Sequence, residues 1–381
     1  MKKKVLVVIQ LLRRGGIEIA AVNFASHLNK DKYEITYYLQ NADEGQDEDL
    51  VQSVLNSGAK IIVRDHSKQG YLSGLKDAVK IMKKNKYDIV HSHVVFYNGI
   101  IMLAAKISGI KKRIAHSHAR MWNRKETLPF KLYRFIMRIF INAFATDKLA
   151  CSTAAGCYMF GKKAFEKHGQ IILNGIETKK YAFTQATREK KRQELGITGS
   201  ELLIGHIGSV YKIKNQVFLT EIFSEMLKSE PNMELMLAGE KFDSQPVEKK
   251  AKELGIDEKI RMPGQRNDIS ELLQAFDILI FPSLVEALPV ALIEAQAAKL
   301  PCLVSDRVTS EVKFNENVEF MPLEESAEKW AEKAFALLAQ NREKINITQL
   351  TDHCDIYRIA QKLDKIYTCL LYTSPSPRDC S

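Results

Sequence analysis

Two glutamates eight residues apart, Glu286 and Glu294, flank Pro289 in the stretch FPSLVEALPVALIEAQAAKLPCLVSD, Phe281 to Asp306. A carboxylate accepts two hydroxyl hydrogen bonds at once, so such a pair suits the vicinal diols of a sugar. Proline is harmless in a first helical turn. A helix starting near Pro289 would aim the amides around Leu288 and Val290, and the positive end of its dipole, at a diphosphate. Read alone, two glutamates on a helix are more often a solvated face. Near the N-terminus Gly15 and Gly16 separate an apolar run from a helical one, where absent side chains let a phosphate or an acceptor approach the backbone. A plain turn explains them as well, and the fuller G-x-G-x-x-G fingerprint is missing. Histidines gather in DIVHSH, 88 to 93, and RIAHSHAR, 113 to 120. An imidazole at a strand end can move a proton or hold a hydroxyl, although a lone histidine is usually structural. No D-x-D pair with supporting ligands follows a strand end, so neither a divalent ion nor another cofactor is expected.

Such groups need rigid edges to stand on, and the chain supplies them in two series. Apolar runs at 5–9, 34–39, 59–63, 88–93 and 113–118 alternate with helix-like segments, and the pattern restarts at 202–208, 233–239, 259–264, 277–283 and 301–306. Alternation of this kind predicts parallel sheets with helices on both faces. With 381 residues, two domains are the natural division. The polar stretch from about Thr178 to Ser200 lacks a long apolar strand and reads as the region of the linker. Helices are expected at 325–340 and 355–368.

Composition, 45% hydrophobic and 27% charged, is that of an ordinary globular protein and excludes a disordered or fibrous chain. The opening MKKKVLVVIQLLRRGG reads as a first buried strand, since its apolar run is short and stops at Arg13. No run is long enough to span a bilayer. Six cysteines lack zinc spacing, which fits a reducing cytoplasm. The net charge of +10 is concentrated: Lys106 to Lys148 holds eleven Lys or Arg against Glu126 and Asp147. Within it, 129–145 places Lys131, Arg134 and Arg138 at helical spacing with Leu132, Phe135, Ile136, Ile139 and Phe140 around them. Such a helix suits an anionic membrane surface, or packs on its own domain with a solvated basic edge. No nucleic-acid-binding module is visible. The last residues, 369–381, contain CLLYTSPSPRD, which matches the conceptual translation of a sequencing-library adapter and is read as an artefact.

The Phe281–Asp306 segment resembles the Glu-x7-Glu signature of retaining glycosyltransferases of family 4, in the bacterial exopolysaccharide and capsule branch. GGIE at 15–18, YDIVHSH at 87–93, RIAHSHAR at 113–120, ACSTAAGCYMFGKKAF at 150–165 and ILNGIETKKY at 172–181 look like blocks of that family in its own order. The resemblance implies an α/β GT-B fold, two Rossmann-like doubly wound domains facing each other across a cleft. Residues 1–180 would bind the acceptor and 181–368 the donor, with the final helix able to pack back on the first domain. It implies that Glu286 holds a hydroxyl of the donor sugar and Glu294 the ribose, with Leu288 and Val290 at the diphosphate. His118 would lie beside the transferred sugar; His91 and His93, which close the preceding strand, are read as candidates to line the acceptor pocket, with Arg120. Gly264, Gln265 and Arg266 resemble the loop that holds the base. Relatives carry two cations after the first strand of the second domain. Lys214 matches one, but Ser209 stands where the arginine is expected, leaving Lys212 to substitute in part.

The implied activity is a metal-independent, hexosyltransferase-type transfer from a nucleotide sugar, a UDP-sugar by preference, to a saccharide or lipid-linked saccharide acceptor. His118, Lys214 and Glu286 would carry the chemistry, and Gly15, Gly16, Ser209, Lys212, Arg266, Leu288, Val290 and Glu294 would bind the donor. The expected location is the cytoplasm, peripherally on the inner face of the plasma membrane. A glycosyltransferase-like nucleotide-binding protein without chemistry is the rival reading, favoured by Ser209. A nucleotide-sugar epimerase is disfavoured by the glutamate pair.

Overall fold

The computed structural model describes residues 1–41, 45–64, 70–120 and 127–369, so the anomalous tail beyond Cys369 lies outside the described residues. The chain divides into two compact units: Met1–Gly175 together with the segment from Ile356 onward, and Ile176–Asp355.

The first unit is built on β1 (Lys3–Ile9), β2 (Tyr33–Leu39), β3 (Lys60–Val63), β4 (Ile89–Ser92), β5 (Lys112–Ser117), β6 (Asp147–Ala150) and β7 (Gly169–Ile171). They form one parallel sheet in the order β3-β2-β1-β4-β5-β6-β7. Val5 to Ile9 is apolar without a break because a central parallel strand is covered on both faces, and all five residues are buried. On one face the core joins Val5, Val7 and Ile9 to Phe24 and to Ile359 and Leu363 of the last helix, Ile356–Thr368. That helix is also pinned at its rim, where Asp364 accepts from Lys32 Nζ at 2.9 Å and Tyr33 Oη at 2.7 Å.

The second unit repeats the plan with β8 (Leu202–Ile207), β9 (Met233–Ala238), β10 (Ile260–Gly264), β11 (Ile278–Phe281), β12 (Cys302–Ser305) and β13 (Val318–Met321). Their order is β10-β9-β8-β11-β12-β13, again all parallel. Its core sets Ile204, Leu235 and Ile280 against Leu219, Phe223 and the fully buried Trp330. In both sheets the strand order reverses at the first strand, so β1/β4 and β8/β11 are the switch points. The crevice beyond their carboxyl ends is where such sheets take ligands.

Three strands were not evident as apolar runs. β6 (DKLA), β7 (GQI) and β13 (VEFM) are short, toward sheet edges and half exposed, so burial did not demand continuous apolar residues. The polar stretch after Thr178 contains a helix, Gln185–Glu194, with no buried residue. Charge holds it instead: Arg188 donates to the carbonyls of Gln274, Ala275 and Phe276, and both Arg188 and Arg192 pair with Asp277.

The basic segment of the first unit is the helix Leu128–Phe144, which buries only Met137 and Ile141. Leu128, Phe130, Leu132, Phe135, Ile136 and Ile139 are exposed. Among the described residues, no helix is long and apolar enough to cross a membrane.

Candidate active site

In the second unit the switch point is framed by two loops tied to each other. The loop after β8 donates Asn215 Nδ2 to Pro282 O at 3.1 Å, and Leu284 N returns a bond to Ile213 O at 2.8 Å. Between them Lys214 Nζ meets Glu286 Oε1 at 2.6 Å, each side chain less than one-fifth exposed. The ammonium also lies 4.9 Å from the Phe281 ring centroid, a cation–π contact that fixes the lysine stem at the strand end. Room for that stem comes from Gly208, whose φ of +149° suits glycine and whose added Cβ would sit 3.2 Å from Lys214 Cε.

Past Glu286 the chain turns through Pro289, which caps the helix Val290–Ala297 without a side-chain hydrogen bond. The first amides of a helix have no partner inside it, so Val290 and its neighbours present donors at this corner. One turn on, Glu294 Oε1 accepts from Tyr181 Oη at 2.6 Å. Burial raises the Glu294 carboxyl above its ordinary range, while the tyrosine bond and the charge of Lys180 oppose that rise. Ser209 is half-buried beside this loop, its carbonyl accepting from Gln216 Nε2 at 3.0 Å. Lys212 is exposed and makes no ion pair among the described residues.

Arg266 grips Asp268 with two bonds, Nε to Oδ1 at 2.8 Å and Nη2 to Oδ2 at 2.6 Å. Its guanidinium holds the Asp268 carboxyl down at about 2. A ligand at this loop therefore meets backbone rather than a free arginine fork. The loop borders an open depression of about 620 Å³ lined by Lys180, Gln265, Arg266, Asn267, Ser270 and Glu271.

The first unit offers a different chemistry at its switch point. His91 stands opposite Ile114 and Ser92 opposite Ala115, so by alternation His91, His93, His116 and His118 share one sheet face. His91 Nε2 meets His116 Nδ1 at 3.1 Å with the rings within 3° of parallel, and His93 Nδ1 meets His118 Nε2 at 2.9 Å. The two pairs stack into a two-by-two array. Tyr367 Oη closes one end on His91 Nδ1 at 2.7 Å, and Asn174 Oδ1 closes the other on His118 Nδ1 at 3.0 Å. Burial holds His118 down at about 4 and His91 at about 3, and pushes His93 and His116 well below the usual range. The array is neutral at physiological pH.

Both nitrogens of His118 are thus engaged inside the unit, while His93 Nε2 is buried without a partner among the described residues. Atoms of His91, His93 and His116 lie within 4.8 Å of one another, a spacing that a metal ion would accept, although two of these nitrogens already bond to each other. Gly15 caps the helix Gly16–Ser26, and a Cβ there would collide with the Glu18 carboxylate, whereas Gly16 faces open space. Glu18, half-buried with its carboxyl raised chiefly by burial, is a candidate that residue type alone did not single out. Arg120 is half-buried two residues beyond His118, at the edge of the described residues.

Most of the expected residues fall in three places: Lys214 with Glu286, followed along the chain by Leu288, Val290 and Glu294; His93 with His118; and Arg266, paired with Asp268, which was not among them. Tyr181, Asn174 and Tyr367 were missed. Tyr181 and Asn174 lie in the ILNGIETKKY block, but their partners are 113 and 56 residues away.

Comparison with known proteins matches residues 14–180 to the family described as Glycosyltransferase Family 4, and residues 187–349 to Glycosyl transferases group 1. EpsF of Bacillus subtilis (strain 168), named for glycosyltransferase activity, is 30% identical over 346 residues, covering 90% of each chain. The capsular polysaccharide biosynthesis glycosyltransferase CapH of Staphylococcus aureus is 26% identical over 325 residues, 83% of each. Among solved structures, Anabaena HepE in complex with UDP and glucose superposes with a TM-score of 0.78 at 18% identity, over 95% of this chain and 98% of that one.

Proposed function

The chain belongs to glycosyltransferase family 4, with a group 1 glycosyltransferase domain and the two Rossmann-like parallel-sheet domains of the GT-B fold, and from that premise we propose a retaining transferase that takes a UDP-sugar. The observation that carries this is the joint placement, within one unit, of the Lys214–Glu286 pair, the helix start at Val290 and Glu294. A diphosphate arriving at the helix start competes for Lys214 and frees Glu286 to accept from a sugar hydroxyl. Glu294 then receives the ribose diol. The base lies against the depression beside Gln265 and Arg266.

In the proposed reaction the bond from the anomeric carbon to the diphosphate oxygen breaks, and the acceptor oxygen bonds to the same face of that carbon. The acceptor's proton passes to the departing phosphate oxygen, so neither glutamate acts as nucleophile. Lys214 and the helix amides meet the developing negative charge in place of a divalent ion. Ser209 adds at most one neutral hydrogen bond there, the specific observation that favours the second reading, a nucleotide-binding protein with impaired catalysis. Slow release of UDP from a donor panel without acceptor separates an enzyme from such a protein.

For the acceptor we propose a saccharide or lipid-linked saccharide of cell-surface polysaccharide synthesis, in line with the capsular function of CapH. The exposed apolar and basic helix Leu128–Phe144 supports a cytoplasmic protein resting on the anionic inner leaflet, where lipid-linked acceptors are held. UDP soaked into crystals tests the donor site. Density beside Lys214, Glu286 and Glu294 is expected, and density elsewhere would overturn the reading.

A further inference from the structure

The turn Thr178–Tyr181 opens the second unit and touches two parts of the proposed nucleotide site. It is tethered where it enters, by Ile176 N to Cys354 O at 2.9 Å and by Thr178 Oγ1 to Asp355 Oδ2 at 2.7 Å. Lys180 lines the depression beside Gln265 and Arg266. The next residue, Tyr181, is buried and reaches the helix Val290–Ala297. One short turn thus serves the base loop with one side chain and the helix carboxylate with the next.

We infer that Tyr181 is a positioning residue for nucleotide binding: its hydroxyl, donating to Glu294 Oε1 at 2.6 Å, fixes the carboxylate and leaves Oε2 for a ribose diol. This rests on the reading of Glu294 as the ribose carboxylate. Oε2 has no hydrogen-bond partner among the described residues, so the carboxylate is half-satisfied by the protein and half open to a ligand. A carboxylate in such a desolvated place binds a diol only while ionised, because a protonated oxygen is a donor facing donors. The tyrosine bond favours the charged form, and the charge of Lys180 works in the same direction. The phenol in turn is held protonated by burial and by Glu294, so it remains a donor throughout the working range.

The test is UDP affinity by calorimetry between pH 5.5 and 8.5 for the full chain and for Tyr181→Phe, Glu294→Gln and the double variant. Phenylalanine keeps the buried ring, and a melting curve checks that the fold is retained. Glu294→Gln is expected to weaken UDP at every pH. Tyr181→Phe is expected to weaken it roughly tenfold near pH 7, with the loss shrinking as pH rises because the Glu294 carboxyl has lost the bond that kept it ionised. The ratio of wild-type to variant affinity cancels the titration of UDP itself. In the Glu294→Gln background the tyrosine change should lose that pH dependence. If Glu294→Gln weakens UDP while the Tyr181→Phe ratio is flat with pH, the positioning role is overturned and the site reading stands. If Glu294→Gln leaves UDP binding unchanged, the reading of Glu294 falls, and the role of Tyr181 with it.

Discussion

At the β1/β4 switch point the first unit gathers four buried imidazoles that bond to one another, whereas at β8/β11 the second gathers a lysine against one carboxylate and a tyrosine against another. The sheets share one topology, so the difference lies in what the strand ends carry. Neutral imidazoles suit the hydroxyls of an uncharged acceptor. An ion pair that can be opened suits a diphosphate, whose charge replaces that of Glu286 at Lys214 under the proposed function. Each site also keeps an unpartnered polar atom among the described residues: His93 Nε2 in the array, whose ends close on Tyr367 and Asn174, and one oxygen of Glu294.

The largest consequence is acid sensitivity concentrated in one unit. The four imidazoles are held below the ordinary histidine value, so as pH falls through about 6.5 the unfolded chain takes up protons that the folded unit refuses. Their stabilisation is complete above that pH and drains as pH falls toward the folded values, about 4 for His118 and about 3 for His91. Each imidazole costs about 1.4 kcal/mol per pH unit in this window. In the second unit only His206, held at about 4 by burial, makes a comparable demand among the described residues. Hydrogen exchange corrected for intrinsic rate should therefore show peptides of β1, β4 and β5 opening at pH 5 while those of β8 and β11 stay protected. Simultaneous opening of both sets would break the distinction between the units.

Removing either member of the ion pair acts on chemistry rather than on stability. Lys214→Ala and Glu286→Gln are each expected to cut sugar transfer at least about tenfold with the melting temperature little changed, because each removes a charged contact to the donor. The lysine change should raise the KM for the donor and lower kcat, since under the proposed function its ammonium meets the diphosphate in the ground state and a larger negative charge on it in the transition state. Unchanged turnover in either variant would leave the second unit's ion pair as a structural salt bridge.

How far these features were legible follows from the range of the interactions. Ten strands could be read because each carries apolar residues in a run, unbroken where both faces are buried as in VLVVI and DILIF, whereas β6, β7 and β13 are short and only partly buried. The site was legible where it is local, in the spacing of Glu286, Pro289 and Glu294 and in the Lys214 loop. It was illegible where it is made by distant segments. His91 and Tyr367 are separated by 276 residues and Lys214 and Glu286 by 72, and no periodicity reports such pairings. The helix within 178–200 was illegible for a related reason: it is held by arginines on carbonyls, which leaves no apolar stripe to read.

The smallest expected effect tests the surface of the first unit. Tyr71 stacks on Tyr133 with ring centroids 5.2 Å apart, so the exposed residues Tyr71 and Leu72 extend the apolar face of the helix Leu128–Phe144. Arg138 is turned inward, donating to Tyr158 O at 2.7 Å, which leaves Lys131 as the exposed cation and Arg134 as a half-buried one. Few cations and much apolar area predict binding in which insertion outweighs attraction, since a basic side chain at an anionic surface adds only about 1 kcal/mol. Phe135→Ser with Ile139→Ser should then reduce sedimentation with phosphatidylglycerol vesicles more than Lys131→Ala with Arg134→Ala does, and neither should change UDP affinity. Equal sedimentation of all forms with phosphatidylglycerol and phosphatidylcholine would remove the membrane from the account and leave the donor site of the second unit untouched.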